Sequence, residues 1–337
     1  MRTMRAMRVR APRPIDGEPL ELAEEPVPEP GPGEVRVRLA ACGVCRTDLH
    51  VAEGDLVPQK SGGVVPGHEG VGHVDALGPG TAGLREGDRV GIAWLHASCG
   101  ACRFCARGAE NLCIAPRFTG WHADGAYADY AVAKAAFVYA LPSGDAERQA
   151  PLLCAGIIGF RAYALSGIAP GEPLGIFGFG GSAHLVIQIA RHRGNPVFVW
   201  SRAARHQALA RELGAAWVGA PGDAPPEPLR GAILFAPSGA LVPEALASLD
   251  AGGTLAIAGI HLSAIPPLDY DRHLFRERTL RSVTANTRAD GRELLRLAAE
   301  IPLETHTVPY PLEAANRALL DLKEDRVRGA AVLRISR

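Results

Sequence analysis

The sequence predicts an α/β protein in which a mostly β domain is interrupted by a doubly wound parallel sheet. Three observations lead there. Up to about residue 150, short apolar runs alternate with Pro, Gly and Glu stretches and show little helical periodicity. Beyond that point apolar strands alternate with helices, the order that a parallel sheet covered on both faces requires. A chain of 337 residues is also too long for one ordinary core. The expected boundaries are 1–150 for the first domain, with 287–337 returning to it, and 151–286 for the inserted one.

Composition narrows the classes of function. Hydrophobic content is 47%, charged content 21% and formal net charge zero, as in soluble globular proteins. Nothing in that balance points to nucleic acid or an anionic membrane as partner. Met1 to Arg10 is Arg-rich but lacks the apolar run of a signal peptide, and no apolar segment reaches the length of a membrane span. A soluble cytoplasmic protein is expected.

In chain order, Val35-Arg-Val-Arg-Leu39 alternates with period two and reads as a strand. Next comes Cys42-Gly-Val-Cys45-Arg46-Thr47-Asp48-Leu-His50, then Gly67-His68-Glu69-Gly70. Thiols, imidazoles, carboxylates and a hydroxyl packed this closely are the inventory of a metal site with proton-handling groups beside it. Strands punctuated by Gly78-Pro-Gly80 and Glu86-Gly-Asp88 follow. Then Cys99, Cys102 and Cys105 stand at two-residue gaps, with Cys113 following after a gap of seven residues. In a large chain without a secretion signal such spacing argues for metal over disulfides. Four thiolates converging on one tetrahedral ion close its shell, so this cluster is expected to be structural.

In the second domain, strands are expected at Leu174–Phe177, Val197–Trp200, 216–218, Ile233–Phe235, Leu255–Ala258 and Arg281–Val283. Helices are expected at Ser182–Arg193, Ala203–Leu213 and Val242–Leu249. The chain then closes with helices near 290–300 and 312–323 and a strand at Ala330–Ile335. The first strand runs into Gly178-Phe-Gly180-Gly181-Ser-Ala183, a glycine turn opening a helix, as a dinucleotide fingerprint requires. Gly178 suits the tight turn, Gly180 lets backbone approach a pyrophosphate, and Ala183 keeps helix and strand close. At the end of the second strand NAD sites usually carry a carboxylate. Here Ser201 and Arg202 stand there, with Arg205 behind, and a guanidinium favours a 2′-phosphate, so the cofactor reading leans to NADP over NAD. An Arg202 that faces solvent or stacks on adenine would leave both cofactors tolerated.

These pieces, with Trp94 ahead of the cysteine cluster and Leu153-Cys154-Ala155-Gly156, resemble in order the zinc-dependent alcohol dehydrogenases of the medium-chain dehydrogenase/reductase superfamily. The resemblance runs along nearly the whole chain. It implies a GroES-like catalytic domain interrupted by a Rossmann domain, two zinc ions per chain, and reversible hydride transfer between an alcohol and NAD(P). By resemblance Cys45, His68 and Cys154 are the catalytic zinc ligands, a Cys2His set with one open position. Glu69 is similar to the family glutamate that approaches the metal, and either a ligand or a neighbouring carboxylate is compatible with that. Asp48 looks like the acceptor of the far nitrogen of His68. Thr47 and His50 look like the proton path, and Arg46 like the basic residue on the cofactor pyrophosphate, unless it is simply solvated. Trp94 and Trp121 are candidate walls of the substrate pocket, narrowing it towards primary or small alcohols. Cys42 is left over as a small buried residue, and His122 and His184 are not expected to be ligands. A homodimer or homotetramer is implied. The alternatives are a polyol dehydrogenase, a zinc-independent quinone or enoyl reductase, or a non-enzymatic zinc- and nucleotide-binding sensor.

Overall fold

The computed structural model describes residues 2–301 and 303–336; Met1, Pro302 and Arg337, which fall inside the expected domain ranges, lie outside the described residues. The chain divides into two compact units. One comprises the chain to Cys154 together with Ala285–Ala299 and the segment from Thr305, and the other comprises Ala155–Thr284 with Glu300–Glu304.

The first unit is built on a seven-stranded sheet among the described residues, in the order Thr307–Pro311, Ala330–Arg334, Glu34–Val44, Gly70–Leu77, Arg89–Ile92 and Val138–Ala140, with Tyr130–Lys134 also paired to Glu34–Val44. Alternation along Glu34–Val44 explains the packing. Val35, Val37, Leu39 and Ala41 point into the core, while outward-facing Arg36 pairs with Asp75. Val35, Val37 and Leu39 join Ala6, Val9, Val74, Val90, Tyr127 and Leu333 in one apolar cluster. Register then does the positioning. Leu39 stands opposite Gly72 and Cys42 opposite Gly70, so the residues just after one strand lie beside those just before the other. Cys45 and His68 are brought together by this pairing although 23 positions separate them in the chain.

The second unit is built on a six-stranded parallel sheet among the described residues. Across it the strands stand third, second, first, fourth, fifth and sixth in chain order: Trp217–Gly219, Val197–Trp200, Leu174–Phe177, Leu229–Leu234, Leu249–Ile257 and Thr279–Ser282. This is the doubly wound order, whose strand ends hold ligands where the chain reverses direction. Leu174–Phe177 and Val197–Trp200 are buried at every position, as strands covered on both faces must be. No helix among the described residues is long and apolar enough to cross a membrane.

Among the elements that depart from the sequence reading are the following three. Arg46–Glu53 is a helix within the part expected to be mostly β: the Asp48 carboxylate accepts the Cys45 N–H at its start, and Gly54 ends it in left-handed conformation. Ala155–Leu165 is a further helix, apolar at nearly every position but Arg161, so that no amphipathic period reveals it. Thr307–Pro311 is a strand despite two prolines, which is possible because it lies at the sheet edge.

Candidate functional site

The helix start at Cys45 organises one cluster. Asp48 is almost fully buried, and each of its oxygens is used twice. Oδ2 accepts from the Cys45 N–H (3.0 Å) and the Tyr127 hydroxyl (3.0 Å). Oδ1 accepts from the Gly67 N–H (3.0 Å) and lies 2.9 Å from His68 Nδ1. One carboxylate therefore ties the helix, the loop before Gly70–Leu77 and the imidazole together. It also assigns the proton of His68 to Nδ1, leaving Nε2 as a donor atom aimed elsewhere. Nε2 lies 3.3 Å from the Sγ of Cys154, which follows the 3-10 turn Ala150–Leu153; that Sγ lies 3.9 Å from the Sγ of Cys45. Glu69, also buried, brings a carboxylate oxygen, and all four donor atoms lie within 4.8 Å of one another.

The donor spacing fits zinc. Bonds of about 2.3 Å to sulfur and 2.0–2.1 Å to nitrogen give tetrahedral edges of about 3.8 Å between sulfurs and about 3.5 Å between sulfur and nitrogen. Electrostatics fit as well. Held against Cys154, the Cys45 thiol is drawn well below its ordinary value even though burial opposes this, and His68 adds to the effect. Facing Cys45 and buried with it, the Cys154 thiol is pushed well up. Burial pushes the Glu69 carboxyl up too. For His68 burial works downward, but the Asp48 carboxylate outweighs it and raises the imidazole well above its ordinary value.

The second cluster is Cys99, Cys102, Cys105 and Cys113. Its sulfurs stand 3.9 Å (Cys99–Cys105), 3.6 Å (Cys102–Cys105) and 4.0 Å (Cys102–Cys113) apart, again tetrahedral edges. Backbone N–H groups of Cys99, Cys102 and Ala115 point at sulfurs from 3.3 to 3.4 Å. Such donors favour thiolate, and the N–H groups of Cys105 and Ile114 bring the Cys102 thiol down to about 6. The lobe is fastened by buried Glu110, which accepts from both the backbone N–H and the guanidinium of Arg288 at 3.0 Å.

The other sequence-predicted residues fall as follows. Thr47 is buried with its Oγ1 3.6 Å from the Cys45 Sγ; His50 lies three residues along the same helix, its Nδ1 2.8 Å from Asp55 Oδ2. Arg46 is exposed and reaches the Leu322 carbonyl at 3.5 Å. Trp94 meets the His68 ring edge-on at 4.9 Å and continues into a stack with Phe118 (4.7 Å) and Trp121 (6.3 Å). His122 packs on Trp121 and accepts the Phe118 N–H, and neither it nor His184 belongs to a donor cluster among the described residues. Cys42 is fully buried in the apolar core. Phe118, Tyr127 and Asp55 were not singled out by sequence, since nothing local distinguishes them.

In the second unit, Gly178 takes φ 90°, and a side chain there would stand 2.7 Å from the Ala236 nitrogen. A Cβ on Gly180 would meet no protein atom within 4 Å, so its face is open to a ligand. Gly181 is half-buried, and Ala183 is fully buried at the start of Ala183–His192. Ser201 is buried, its N–H bonded to the Gly219 carbonyl, while Arg202 and Arg205 are exposed.

A parallel sheet in this order with a glycine-rich first turn is the architecture of dinucleotide-dependent dehydrogenases, and the two donor clusters make it a metal-dependent one. Comparison with known proteins agrees. Residues 31–143 match the alcohol dehydrogenase GroES-like domain and residues 181–300 the zinc-binding dehydrogenase domain. A Mycobacterium tuberculosis protein described as "Probable alcohol dehydrogenase AdhA" is 53% identical over 99% of this chain and 98% of its own length. An alcohol dehydrogenase of Geobacillus stearothermophilus is 36% identical over 94% of this chain and 97% of its own. The cobalt- and zinc-bound thermostable alcohol dehydrogenase of Pyrobaculum aerophilum superposes with a TM-score of 0.88 at 28% identity, covering 99% of this chain and 100% of that one. The chain belongs to the zinc-dependent alcohol dehydrogenases of the medium-chain dehydrogenase/reductase superfamily.

Proposed function

We propose that the chain interconverts small primary alcohols and their aldehydes, with Cys45, His68 and Cys154 holding a catalytic zinc and Cys99, Cys102, Cys105 and Cys113 a structural one. The observation that carries this is the tetrahedral spacing of Cys45, His68 and Cys154, backed by a buried Asp48. Bound zinc would act as a Lewis acid that eases loss of the alcohol proton, and NAD(P) would take up or return the hydride.

The chain's own residues do the remaining work. Asp48 keeps the His68 proton on Nδ1, so Nε2 stays a donor. Thr47, buried beside Cys45, accepts the proton of the substrate hydroxyl on Oγ1 while releasing its own hydroxyl proton towards His50. His50, half-exposed nearly one turn further along the same helix, hands that proton to solvent. Trp94 sets its ring against His68 and narrows the approach, with Trp121 behind it, which favours unbranched alcohols. Glu69 stands beside the three donors as a neighbouring carboxylate. Gly178, Gly180, Gly181 and Ala183 would receive the pyrophosphate. Ser201 and Arg202 turn the preference to NADP. A cytoplasmic homodimer or homotetramer belongs to the same reading.

Metal analysis together with a matrix of NAD and NADP against primary, secondary, polyhydric and aromatic alcohols tests it. About two zinc ions per chain, oxidation of primary alcohols and a higher kcat/KM with NADP are expected. One zinc with quinone or enone reduction overturns the reaction, and a clear NAD preference overturns the role of Arg202.

A further inference from the structure

The outer face of the first unit's sheet carries charge that nothing in the chemistry above uses. Strand register sets Arg38 of Glu34–Val44 opposite His73 of Gly70–Leu77, and His73 opposite Arg89 of Arg89–Ile92. Opposite residues point to one side with Cβ atoms about 5 Å apart, so three basic side chains stand in a row across three strands. Arg38 is exposed and His73 half-buried, while their neighbours Val37 and Val74 face the core. Like charges directly opposite one another are unfavourable unless something neutralises them. Among the described residues no carboxylate pairs with Arg38, and Arg89 is held only by the neutral oxygens of Gln149 and Gly144. Arg2 joins from the start of the chain. It donates to the Tyr130 hydroxyl and lies 4.7 Å over that ring, and Tyr130 stands opposite Arg38 on its other flank. Arg2, Arg38 and His73 border a cleft of about 420 Å³. Two carboxylates also line it: Asp75 is already neutralised by Arg36 at 2.7 Å, and Glu86 is exposed. Guanidiniums therefore outnumber carboxylates around the cleft. Burial, with Arg89 and Arg38 adding to it, holds the His73 imidazole below its ordinary value.

We propose that this cleft binds the phosphate group of a small phosphorylated molecule, with Arg38 and Arg2 as charged donors and His73 as a third. The donors come from separate segments and so approach from different directions. Tetrahedral phosphate oxygens can meet all of them, whereas a planar carboxylate offers two oxygens in one plane. Each guanidinium pairs with phosphate through charge-assisted hydrogen bonds, and the bound dianion offsets the repulsion along the row. The site is independent of the zinc reading.

The test follows the His73 ring by NMR in enzyme made with isotope-labelled histidine, with zinc and cofactor bound so that the cofactor's own phosphate contacts are filled. His73→Gln identifies the resonance. Inorganic phosphate and glycerol phosphate are each expected to shift it saturably with a Kd on the order of 1 mM, while sodium chloride at matched ionic strength does not. Arg38→Gln and, separately, Arg2→Gln should each raise that Kd at least about tenfold, the worth of one charge-assisted hydrogen bond. Arg10→Gln removes an equal charge from an exposed side chain outside the cleft and should leave the Kd within about twofold. A His73 resonance unmoved by either probe at about 50 mM overturns the site. Arg38→Gln titrating like wild type overturns it as well. So does an equal loss of affinity in all three arginine variants, which would report only the general field of the chain. A response to inorganic phosphate but not to glycerol phosphate overturns the phosphorylated ligand.

Discussion

The two sulfur clusters are built in opposite ways. Cys99, Cys102, Cys105 and Cys113 come from one stretch of fifteen residues, sit near the surface, and draw much of their support from neighbouring backbone N–H groups. Cys45, His68 and Cys154 come from three distant segments, gathered by strand register and held by the buried Asp48. A local cluster can restrain the loop that carries it and little else. A gathered cluster depends on the whole unit having folded, and its donors can be aimed so that one direction stays open.

That contrast predicts separable failures. Cys154→Ser should lower kcat/KM at least a thousandfold, roughly 4 kcal/mol of transition-state stabilisation, while melting within about 2 °C of wild type. Cys105→Ser should do the reverse, costing about 2–3 kcal/mol and about 5–10 °C in melting temperature while the surviving folded enzyme still turns over. Calorimetry with steady-state kinetics on both variants checks this, and similar profiles would erase the distinction.

His96 lies between Trp94 and the cysteine lobe and makes the lobe's attachment sensitive to acid. Burial, aided by Arg117, lowers its imidazole to about 4, and Nδ1 has no hydrogen-bond partner among the described residues. Unfolded, the ring titrates near 6.5, so between these values the unfolded chain binds the extra proton and stability falls as pH falls. By pH 4 the loss approaches about 3 kcal/mol. Urea midpoints measured from pH 7 to 4.5 should drop less in His96→Gln than in wild type; parallel curves would remove His96 from the account.

For the gathered cluster, Asp48→Asn should weaken zinc retention by about 10–100-fold, since an amide turns an N–H₂ towards groups that are themselves donors. Tyr127→Phe removes one of the four partners of Asp48 and should cost about 1 kcal/mol, read as a smaller change in the same chelator assay.

The same contrast explains what was legible in the sequence. Thiols within fifteen residues reveal their cluster by spacing, and strands buried on both faces reveal the parallel sheet by unbroken apolar runs. Cys154 stands alone in its segment, and only the family motif singled it out. Tyr127 reaches Asp48 from 79 positions away, and Phe118 enters the aromatic stack through the short pairing of Leu95–Ala97 with Arg117–Phe118. No local pattern encodes either contact. The helix Arg46–Glu53 was hidden for another reason: its capping residue is also the residue that orients His68, so its sequence reads as chemistry before it reads as structure.

The edge strand Thr307–Pro311 has a consequence for association. Pro309 and Pro311 stand two apart, on the side of the strand away from Ala330–Arg334, and neither has an N–H to offer. A foreign strand docking there would find acceptors but no regular ladder of donors. The first unit's sheet is thereby sealed against growth at this end, so its mostly β architecture does not become a template for aggregation.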